Sequence, residues 1–210
     1  MRVRTQVQDR GLKALRVVVL KTGSLLREGL ILKDARSSVT LIDAGERKII
    51  VDTGFLGEEG IILDALAARN LVPENIDFVV NTHLHLDHCG CNILFRKSVF
   101  YADRMECPPI MFRDAKDGAE LVPGVSFLST PGHTYGSTSV VVEADGEKYV
   151  IAGDAIPTLD NYRGMSPPLI NIDEKLAMES MKRILKVADF VIPGHDAMFK
   201  VDKRVISRTA

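Results

Sequence analysis

The chain alternates between short apolar runs, which predict buried β-strands, and longer mixed segments, which predict helices and loops. Five of the apolar runs stop abruptly at a polar residue, and runs of this kind, bounded by Gly or Pro, are typical of buried strands. Polar residues begin at strand ends in any protein, which accounts for aspartates better than for histidines. Because strand ends tend to meet at one edge of a layered α/β core, we expect these five residues to lie together. They are Asp52, His83, His133, Asp154 and His195.

Two further segments have apolar residues at helical spacing and predict amphipathic helices over residues 58–69 and 173–188. Each predicted helix is followed by a similar strand that ends near a histidine, which hints at two related halves. Strands alternating with helices in this way indicate an α/β sandwich. Earlier in the chain, strands are predicted over residues 16–20, 29–32, 38–42 and 48–51, with a turn at 44–46.

Composition places the chain among ordinary globular proteins. It has 210 residues, of which 46% are hydrophobic and 26% charged, and this length suggests one domain spanning residues 1–210. The net charge of −1 provides no basic surplus, which argues against nucleic acid or an anionic membrane surface as a partner. A small-molecule substrate is the expected partner, and assembly into a homo-oligomer stays open.

The cytoplasm is the expected location. The apolar run at residues 17–20 is too short for a signal peptide, and no run approaches the roughly 18 apolar residues of a membrane span. The three cysteines are an odd number, which argues against a disulfide framework. Cys89 and Cys91 lie beside the histidine cluster, and we expect them to be packing residues rather than metal ligands.

Residues 82–90, THLHLDHCG, carry three histidines and an aspartate within six positions. Alternation places His83, His85 and Asp87 on one side of an extended segment, so the chain must turn near Asp87 to bring in His88. Gly90 offers the freedom for such a turn. One loop could then serve two metal ions, because imidazole and carboxylate are ligands that Zn²⁺ accepts.

The remaining polar strand ends complete this set. All five histidines lie in residues 82–90 or at a strand end, whereas a purely structural role would scatter at least one elsewhere. Two metals need more ligands than residues 83–88 supply, and the additional candidates are His133, Asp154 and His195. A carboxylate suits the position between two ions better than a histidine does, which favours Asp154 there.

Taken in order, these motifs resemble those of the metallo-β-lactamase-fold hydrolase superfamily. The matching segments span residues 39–199 and are VDTG, THLHLDH, PGHTYGS, AGD and PGH. The segments ADFVIPGHDAMFKV and PGHTYGSTSVVV are also similar to single-domain members of the metallo-β-lactamase-domain-containing protein 1 type. The resemblance implies a four-layer αββα sandwich with its site at one edge of the two sheets.

The resemblance also implies two divalent metal ions, zinc in the first instance, with iron or manganese as alternatives. Asp154 would bridge the ions, and Asp52 would accept a ring N–H from a ligand histidine and fix its tautomer. The remaining ligands implied are His83, His85 and His133 for one ion and Asp87, His88 and His195 for the other.

Such a centre implies a metal-dependent hydrolase. A hydroxide bridging the two metal ions would attack an ester, thioester or lactone-type small substrate. Asp87 would be the catalytic residue that orients the nucleophile and passes its proton to the leaving group. Three alternatives stay open: an oxidoreductase like the mononuclear iron persulfide dioxygenases, which share the HxHxDH pattern, a phosphodiesterase or ribonuclease, and a metal-binding protein without activity.

The ligands do not select a substrate, but the spacing between them narrows the choice. Fifteen residues follow His195, so we expect no helical glutathione-binding domain of the glyoxalase II type. Twenty residues separate His133 from Asp154, too few for the inserted domain of β-CASP nucleases. His85 argues against the diiron flavoproteins, which usually have Glu at that position.

Two loops, residues 103–120 and 155–173, are the predicted sites of substrate contact. The second follows Asp154 and is expected to cover the metals. It contains Tyr162, which could donate a hydrogen bond to a developing oxyanion or simply pack within the loop.

Overall fold

The computed structural model describes residues 15–203, and within that range it contains fourteen strands and four α-helices. The strands are β1 (Arg16–Lys21), β2 (Ser24–Glu28), β3 (Ile31–Arg36), β4 (Val39–Ala44), β5 (Arg47–Val51), β6 (Phe78–Val80), β7 (Val99–Ala102), β8 (Arg113–Asp114), β9 (Glu120–Val122), β10 (Val125–Ser129), β11 (Thr138–Ala144), β12 (Glu147–Gly153), β13 (Phe190–Pro193) and β14 (Phe199–Lys200). The helices are α1 (Glu59–Ala67), α2 (Leu86–Cys89), α3 (Leu159–Gly164) and α4 (Glu174–Val187).

The strands form two six-stranded mixed sheets and one separate hairpin. The first sheet has the order β1-β4-β5-β6-β7-β8, the second has the order β14-β13-β12-β11-β10-β9, and β2 pairs with β3. Strands β5 and β6 are parallel neighbours, as are β12 and β13. Strand β10 runs in the same direction as β12, because both are antiparallel to β11. The strands before the five polar residues therefore run in a common direction within each sheet.

Alternation of apolar side chains along the strands determines the layers. On β5, Ile49 and Val51 enter the core between the sheets, whereas Ile50 packs with Ile62 of α1 on the outer face. On β12, Ile151 enters the same central core, whereas the residues on either side of it pack with α4. Complete burial of such a side chain contributes about 1.5–3 kcal/mol. Helix, sheet, sheet and helix thus form an αββα sandwich, which confirms the predicted fold class.

Both predicted helices are confirmed within two residues at each end, whereas the strand predicted at 29–32 begins two residues later, at Ile31, and continues to Arg36 as β3. Gly29 has φ of +59° and lies in the turn that joins β2 to β3. A residue with positive φ belongs in the turn of a hairpin rather than in its strands. On α1, the helical spacing predicts that Ile61, Ile62, Ala65 and Leu66 share one inward side. Ile62 and Leu66 are buried as predicted, whereas Ile61 is 53% exposed.

Two expectations concern chain ends that the structure describes only in part. The prediction that the chain has no signal peptide rests on a segment that begins outside residues 15–203. The segment after His195 also extends beyond this range. Within residues 15–203, no helix has the length and apolar character needed to cross a bilayer.

Candidate metal centre

The THLHLDHCG segment follows β6 and changes direction at His85. His85 is the last extended residue, with φ −65° and ψ 147°, and α2 begins directly after it. The chain therefore turns two residues earlier than predicted, and the single helical turn carries both Asp87 and His88. Gly90 has an ordinary helical φ of −59°, so it does not supply unusual backbone freedom. It supplies space instead, because a Cβ at this position would lie 2.4 Å from the backbone nitrogen of Leu56.

The other three residues reach the site from the second sheet. His133 follows β10, Asp154 follows β12, and His195 follows β13. A hydrogen bond from Ser38 N to Gly194 O, 2.6 Å long, joins the PGH segment to the start of β4 in the first sheet. Gly194 is required for close approach, since a Cβ there would lie 2.1 Å from Oδ1 of Asp154.

All seven predicted ligand residues come together at this edge of the sandwich. Within each of three groups, one potential ligand atom per residue lies within 4.8 Å of the others. The first ligand group is His83, His85 and His133, and the second ligand group is Asp87, His88 and His195. A third group, His83, His88 and Asp154, shares members with both.

Within the first ligand group, ring nitrogens converge on a small volume. Nδ1 of His85 lies 3.1 Å from Nε2 of His83 and 2.9 Å from Nε2 of His133. Burial lowers the pKa of His83 well below its usual value, and the neighbouring His88 lowers it further. Burial and His133 likewise lower the pKa of His85. Neutral imidazoles are the form that binds metal ions.

Three histidines are oriented by hydrogen bonds from the ring nitrogen that faces away from the centre. Nδ1 of His133 donates to Ile170 O at 2.7 Å, and Nδ1 of His195 donates to Arg36 O at 3.0 Å. Nδ1 of His88 lies 2.8 Å from Oδ2 of Asp52. Because a carbonyl oxygen only accepts, the tautomers of His133 and His195 are fixed, and each neutral ring directs the Nε2 lone pair into the site.

Asp52, which contacts His88, is itself held in place by Thr82. Its φ of +55° is in the left-handed region, which costs energy for a residue other than glycine. In that conformation Oδ1 accepts from Thr82 N at 2.8 Å, and Oδ2 accepts from Thr82 Oγ1 at 2.7 Å. Burial disfavours protonated His88, but the carboxylates of Asp52 and Asp154 outweigh burial and raise its pKa well above the usual value.

Asp154 lies between the two ligand groups. Its Oδ1 is 3.3 Å from Nε2 of His88 and 3.1 Å from Nε2 of His195. Its Oδ2 is 3.2 Å from Nε2 of His195 and 3.5 Å from Nε2 of His133. Burial disfavours the carboxylate, but His195 and His88 outweigh burial and lower the pKa of Asp154 well below the usual value. One carboxylate can therefore contact ions on both sides.

Two buried atoms at the centre support occupation by cations. Among the described residues, Nε2 of His88 and Oδ1 of Asp154 have no hydrogen-bond partner, although each is shielded from solvent. An unsatisfied buried polar group costs about 1–3 kcal/mol, so natural proteins seldom leave two of them face to face. A divalent cation that displaces the ring proton of His88 and accepts a lone pair from each atom removes this cost, and the donor set of imidazoles and carboxylates suits such an ion.

A cavity of about 340 Å³ opens over the ligand groups. This volume suits a small-molecule site. Its floor includes His85, Asp87, His133, Asp154 and His195. Its walls are largely apolar and come from the β2–β3 hairpin, with Leu25, Leu30 and Leu32, and from the loop after β12, with Pro157, Pro168, Leu169 and Ile170.

Only one of the two predicted substrate loops lines the cavity. Residues 155–173 line the cavity as expected, but residues 103–120 do not contribute to its lining. Tyr162 of α3 stacks on Phe199 at 4.7 Å between ring centroids, and its hydroxyl accepts from Asp202 N at 2.9 Å. It belongs to the core beneath α4 and is not among the cavity residues. The packing role for Tyr162 is therefore correct, and the oxyanion-donor role is wrong.

The cysteines beside the histidines also pack. Cys91 is buried, its thiol donates to Phe55 O at 3.0 Å, and burial raises its pKa to about 11. The thiol of Cys89 donates to Leu84 O at 3.5 Å, and burial raises its pKa. Neither belongs to a ligand group. All three cysteines are free thiols.

Two features of the site were missed at the sequence level. The β2–β3 hairpin lines the cavity although nothing in its composition points to a ligand. Glu106 accepts hydrogen bonds from the segments that carry the first ligand group. A lone glutamate after a strand has no recognisable spacing to the histidines, so no sequence signal could have identified it.

Comparison with known proteins agrees with this geometry. The family model of the metallo-beta-lactamase superfamily matches residues 32–106 and 111–195. A Methanocaldococcus jannaschii protein named probable metallo-hydrolase is 42% identical over 188 residues, which cover 89% of this chain and 90% of that protein. Metallo-beta-lactamase domain-containing protein 1 of Mus musculus is 33% identical, with 82% of this chain and 68% of that protein covered.

A third relative has a solved structure. The N-acyl homoserine lactonase AiiA of Bacillus thuringiensis is 27% identical over 199 residues, which cover 74% of this chain and 79% of that protein. A mutant of AiiA crystallised with N-decanoyl-L-homoserine at its active site superposes with a TM-score of 0.70 and 22% identity, covering 88% of this chain and 94% of that one. The match of the family model to most of the chain, together with the relatives and the fold, shows that the chain belongs to the metallo-beta-lactamase superfamily and is a metal-dependent hydrolase.

Proposed function

We propose that the protein is a dinuclear metallohydrolase that cleaves a small ester, thioester or lactone with an apolar acyl group. The observation that carries this proposal is the position of Asp154, whose carboxylate lies within 3.5 Å of histidine ring nitrogens from both ligand groups. A mononuclear iron site of the persulfide dioxygenase kind would leave the second ligand group without a function. Its three members nevertheless converge, and His88 and His195 are held by hydrogen bonds.

In this proposal the first ligand group would hold one ion, the second ligand group would hold another, and Asp154 would be a ligand shared by both. Asp52 fixes the orientation of His88 without contacting an ion. Zinc is the expected metal because the donors are mainly imidazole with two carboxylates, and iron or manganese would accept the same set. The ions would supply the chemistry of such centres, which is to lower the pKa of water and to polarise a carbonyl oxygen.

Asp87 is the residue proposed to move the proton. Its carboxylate lines the cavity, with Oδ2 3.7 Å from Nε2 of His88 and 3.5 Å from Nε2 of His195. It accepts a proton from the attacking water as the oxygen adds to the acyl carbon. It then donates that proton to the alkoxide or thiolate that leaves when the acyl bond breaks. The products are a carboxylic acid and an alcohol or thiol, joined in one molecule when the substrate is a lactone.

Apart from Arg27, the cavity walls are apolar, and this favours an acyl chain over a charged phosphodiester. Leucines of the hairpin and residues 168–170 face the ligand groups across the cavity, where they can bury a chain of several methylenes at about 0.8 kcal/mol each. The relationship to an N-acyl homoserine lactonase supports a lactone within this class.

The test is a substrate panel on metal-replete protein. Acyl lactones, aryl esters and acyl thioesters of increasing chain length are compared with bis-aryl phosphodiesters and with a persulfide in the presence of oxygen. The proposal predicts hydrolysis of at least one acyl class, with kcat/KM rising with chain length. Phosphodiester cleavage or oxygen consumption without acyl hydrolysis would overturn it.

A further inference from the structure

Glu106 joins the two chain segments that carry the first ligand group. It ends a short 3-10 turn, Arg104–Glu106, that follows β7, and it is partly buried. Oε2 accepts a hydrogen bond from Leu84 N at 2.9 Å. Oε1 accepts from Thr134 Oγ1 at 2.5 Å and from Gly136 N at 3.1 Å. A carboxylate suits this position because its two oxygens accept hydrogen bonds from three donors. Two of the donors are backbone amides, which can only donate.

The donors are next to the ligands in the chain. Leu84 lies between His83 and His85, and Thr134 directly follows His133. The two segments come from different sheets, since β6 precedes one and β10 precedes the other. Glu106 therefore spans the gap between the sheets at the point where the first ligand group is assembled.

The side chain of Glu106 packs closely against the segment that follows His133. A Cβ at Gly136 would lie 2.7–2.8 Å from the backbone nitrogen, Cγ and Oε1 of Glu106. Thr134 and Ser137 complete the contact, because their hydroxyl oxygens are 2.7 Å apart and Ser137 Oγ accepts from Thr134 N at 3.1 Å.

The geometry points to Glu106 as a positioning residue that sets the metal affinity of the first ligand group selectively. This inference rests on the proposed dinuclear site. In the second ligand group, Asp52 contacts His88 and therefore supports that group, so each half of the centre has its own acidic support. Loss of Glu106 would leave the distances within the second ligand group unchanged while allowing the His83–His85 segment to separate from His133.

Co²⁺ binding isolates the effect. Two backgrounds each retain one ligand group: His195→Ala keeps the first, and His85→Ala keeps the second. Glu106→Gln preserves the size of the side chain but replaces one acceptor oxygen with an NH₂ donor. We expect it to weaken Co²⁺ binding about 10–100-fold in the His195→Ala background, the usual effect of losing an outer support, and to alter the ligand-field absorption spectrum there. In the His85→Ala background the affinity should stay within about twofold.

Asp103→Asn is the matched control. Asp103 caps the same 3-10 turn by accepting from Met105 N at 2.8 Å, and among the described residues no hydrogen bond joins its side chain to either ligand segment. It should leave both affinities and both spectra unchanged. Should Glu106→Gln fail to fold, as judged by circular dichroism, Thr134→Val removes one donor to Glu106 and should give a smaller loss confined to the same background.

The outcomes distinguish failure of the proposed dinuclear centre from failure of the proposed role of Glu106. Wild-type protein that binds a single Co²⁺ would overturn the proposed dinuclear centre, and with it this inference. Wild-type protein that binds two Co²⁺, combined with unchanged affinity in Glu106→Gln or with equal losses in both backgrounds, would overturn the positioning role of Glu106 and leave the proposed function intact.

Discussion

At the scale of single residues, the site is organised by oxygen atoms that lie outside the ligand groups. Ile170 O, Arg36 O and the Asp52 carboxylate each lie beside the outward Nδ1 of a histidine. These contacts direct three Nε2 atoms inward, where Asp154 lies between them. The left-handed φ of Asp52 stores strain of about 1–3 kcal/mol, which the hydrogen bonds to Thr82 and His88 offset.

Replacement of Asp87 tests the proposed proton transfer. Asp87→Asn keeps the shape of the side chain but cannot accept and return a proton, so kcat should fall about 10²–10⁴-fold. The melting temperature should change little, because Asp87 is only partly buried at the cavity floor. The measurement is steady-state turnover at saturating metal. Wild-type turnover in metal-replete Asp87→Asn would rule out this role.

Metal binding should depend on pH with a definite sign. Burial disfavours the charged rings, but carboxylates outweigh it and raise the pKa of His88 and His195, so in metal-free protein these rings stay protonated to a higher pH than a free imidazole does. Ligation removes those protons. Affinity should therefore fall as pH is lowered, about tenfold per unit for each proton displaced.

Calorimetric titration in two buffers of different ionisation enthalpy checks this proton release. The apparent binding enthalpy should differ between the buffers, and the affinity at pH 6 should be below that at pH 8. Equal enthalpies and a flat affinity over this range would show that the rings are already neutral before the metal arrives.

At the scale of elements, the β2–β3 hairpin is separate from both sheets and contributes one wall of the cavity. A two-stranded hairpin is only marginally stable without support, so its position over the ligand groups depends on contacts at its base. One of these is the hydrogen bond from Gly23 N to Ser38 Oγ at 3.0 Å. Leu25 and Leu32 face the cavity, whereas Leu26 on the same hairpin is 62% exposed and does not line it.

Truncation of the cavity-facing leucines should affect long acyl substrates. Leu25→Ala or Leu32→Ala should each remove about 1–2 kcal/mol of chain burial, which lowers kcat/KM roughly five- to thirtyfold for long chains and little for acetyl substrates. Leu26→Ala is the matched control and should leave the chain-length dependence unchanged. The same dependence in all three variants and the wild type would place the acyl chain elsewhere.

At the scale of the whole molecule, the fold and the convergence of the ligand residues could be predicted because they depend on periodic patterns. Buried strands are rich in β-branched residues, and polar strand ends meet at one edge of the sandwich. His83, His133 and His195 are separated by more than forty residues in the chain, yet each follows a strand whose direction is fixed by its sheet.

Other parts of the site depend on contacts that leave no periodic signal. The turn at Gly29 was hidden within an apolar run, so the hairpin and its cavity wall could not be predicted. Glu106 contacts backbone amides, which any sequence supplies. Tyr162 was expected near the metals because it follows Asp154 in the chain, but α3 turns it towards Phe199 and the core beneath α4. The spacing along a loop does not determine which way its side chains face.

Metal stoichiometry is the most direct test of the proposed dinuclear centre. Elemental analysis of purified protein, before and after metal is added back, counts the ions that the two ligand groups hold. We predict about two divalent ions per chain, falling to about one in either His85→Ala or His195→Ala. A single ion per wild-type chain, with the second ligand group still empty after reconstitution, would contradict a dinuclear centre and indicate mononuclear oxygen chemistry.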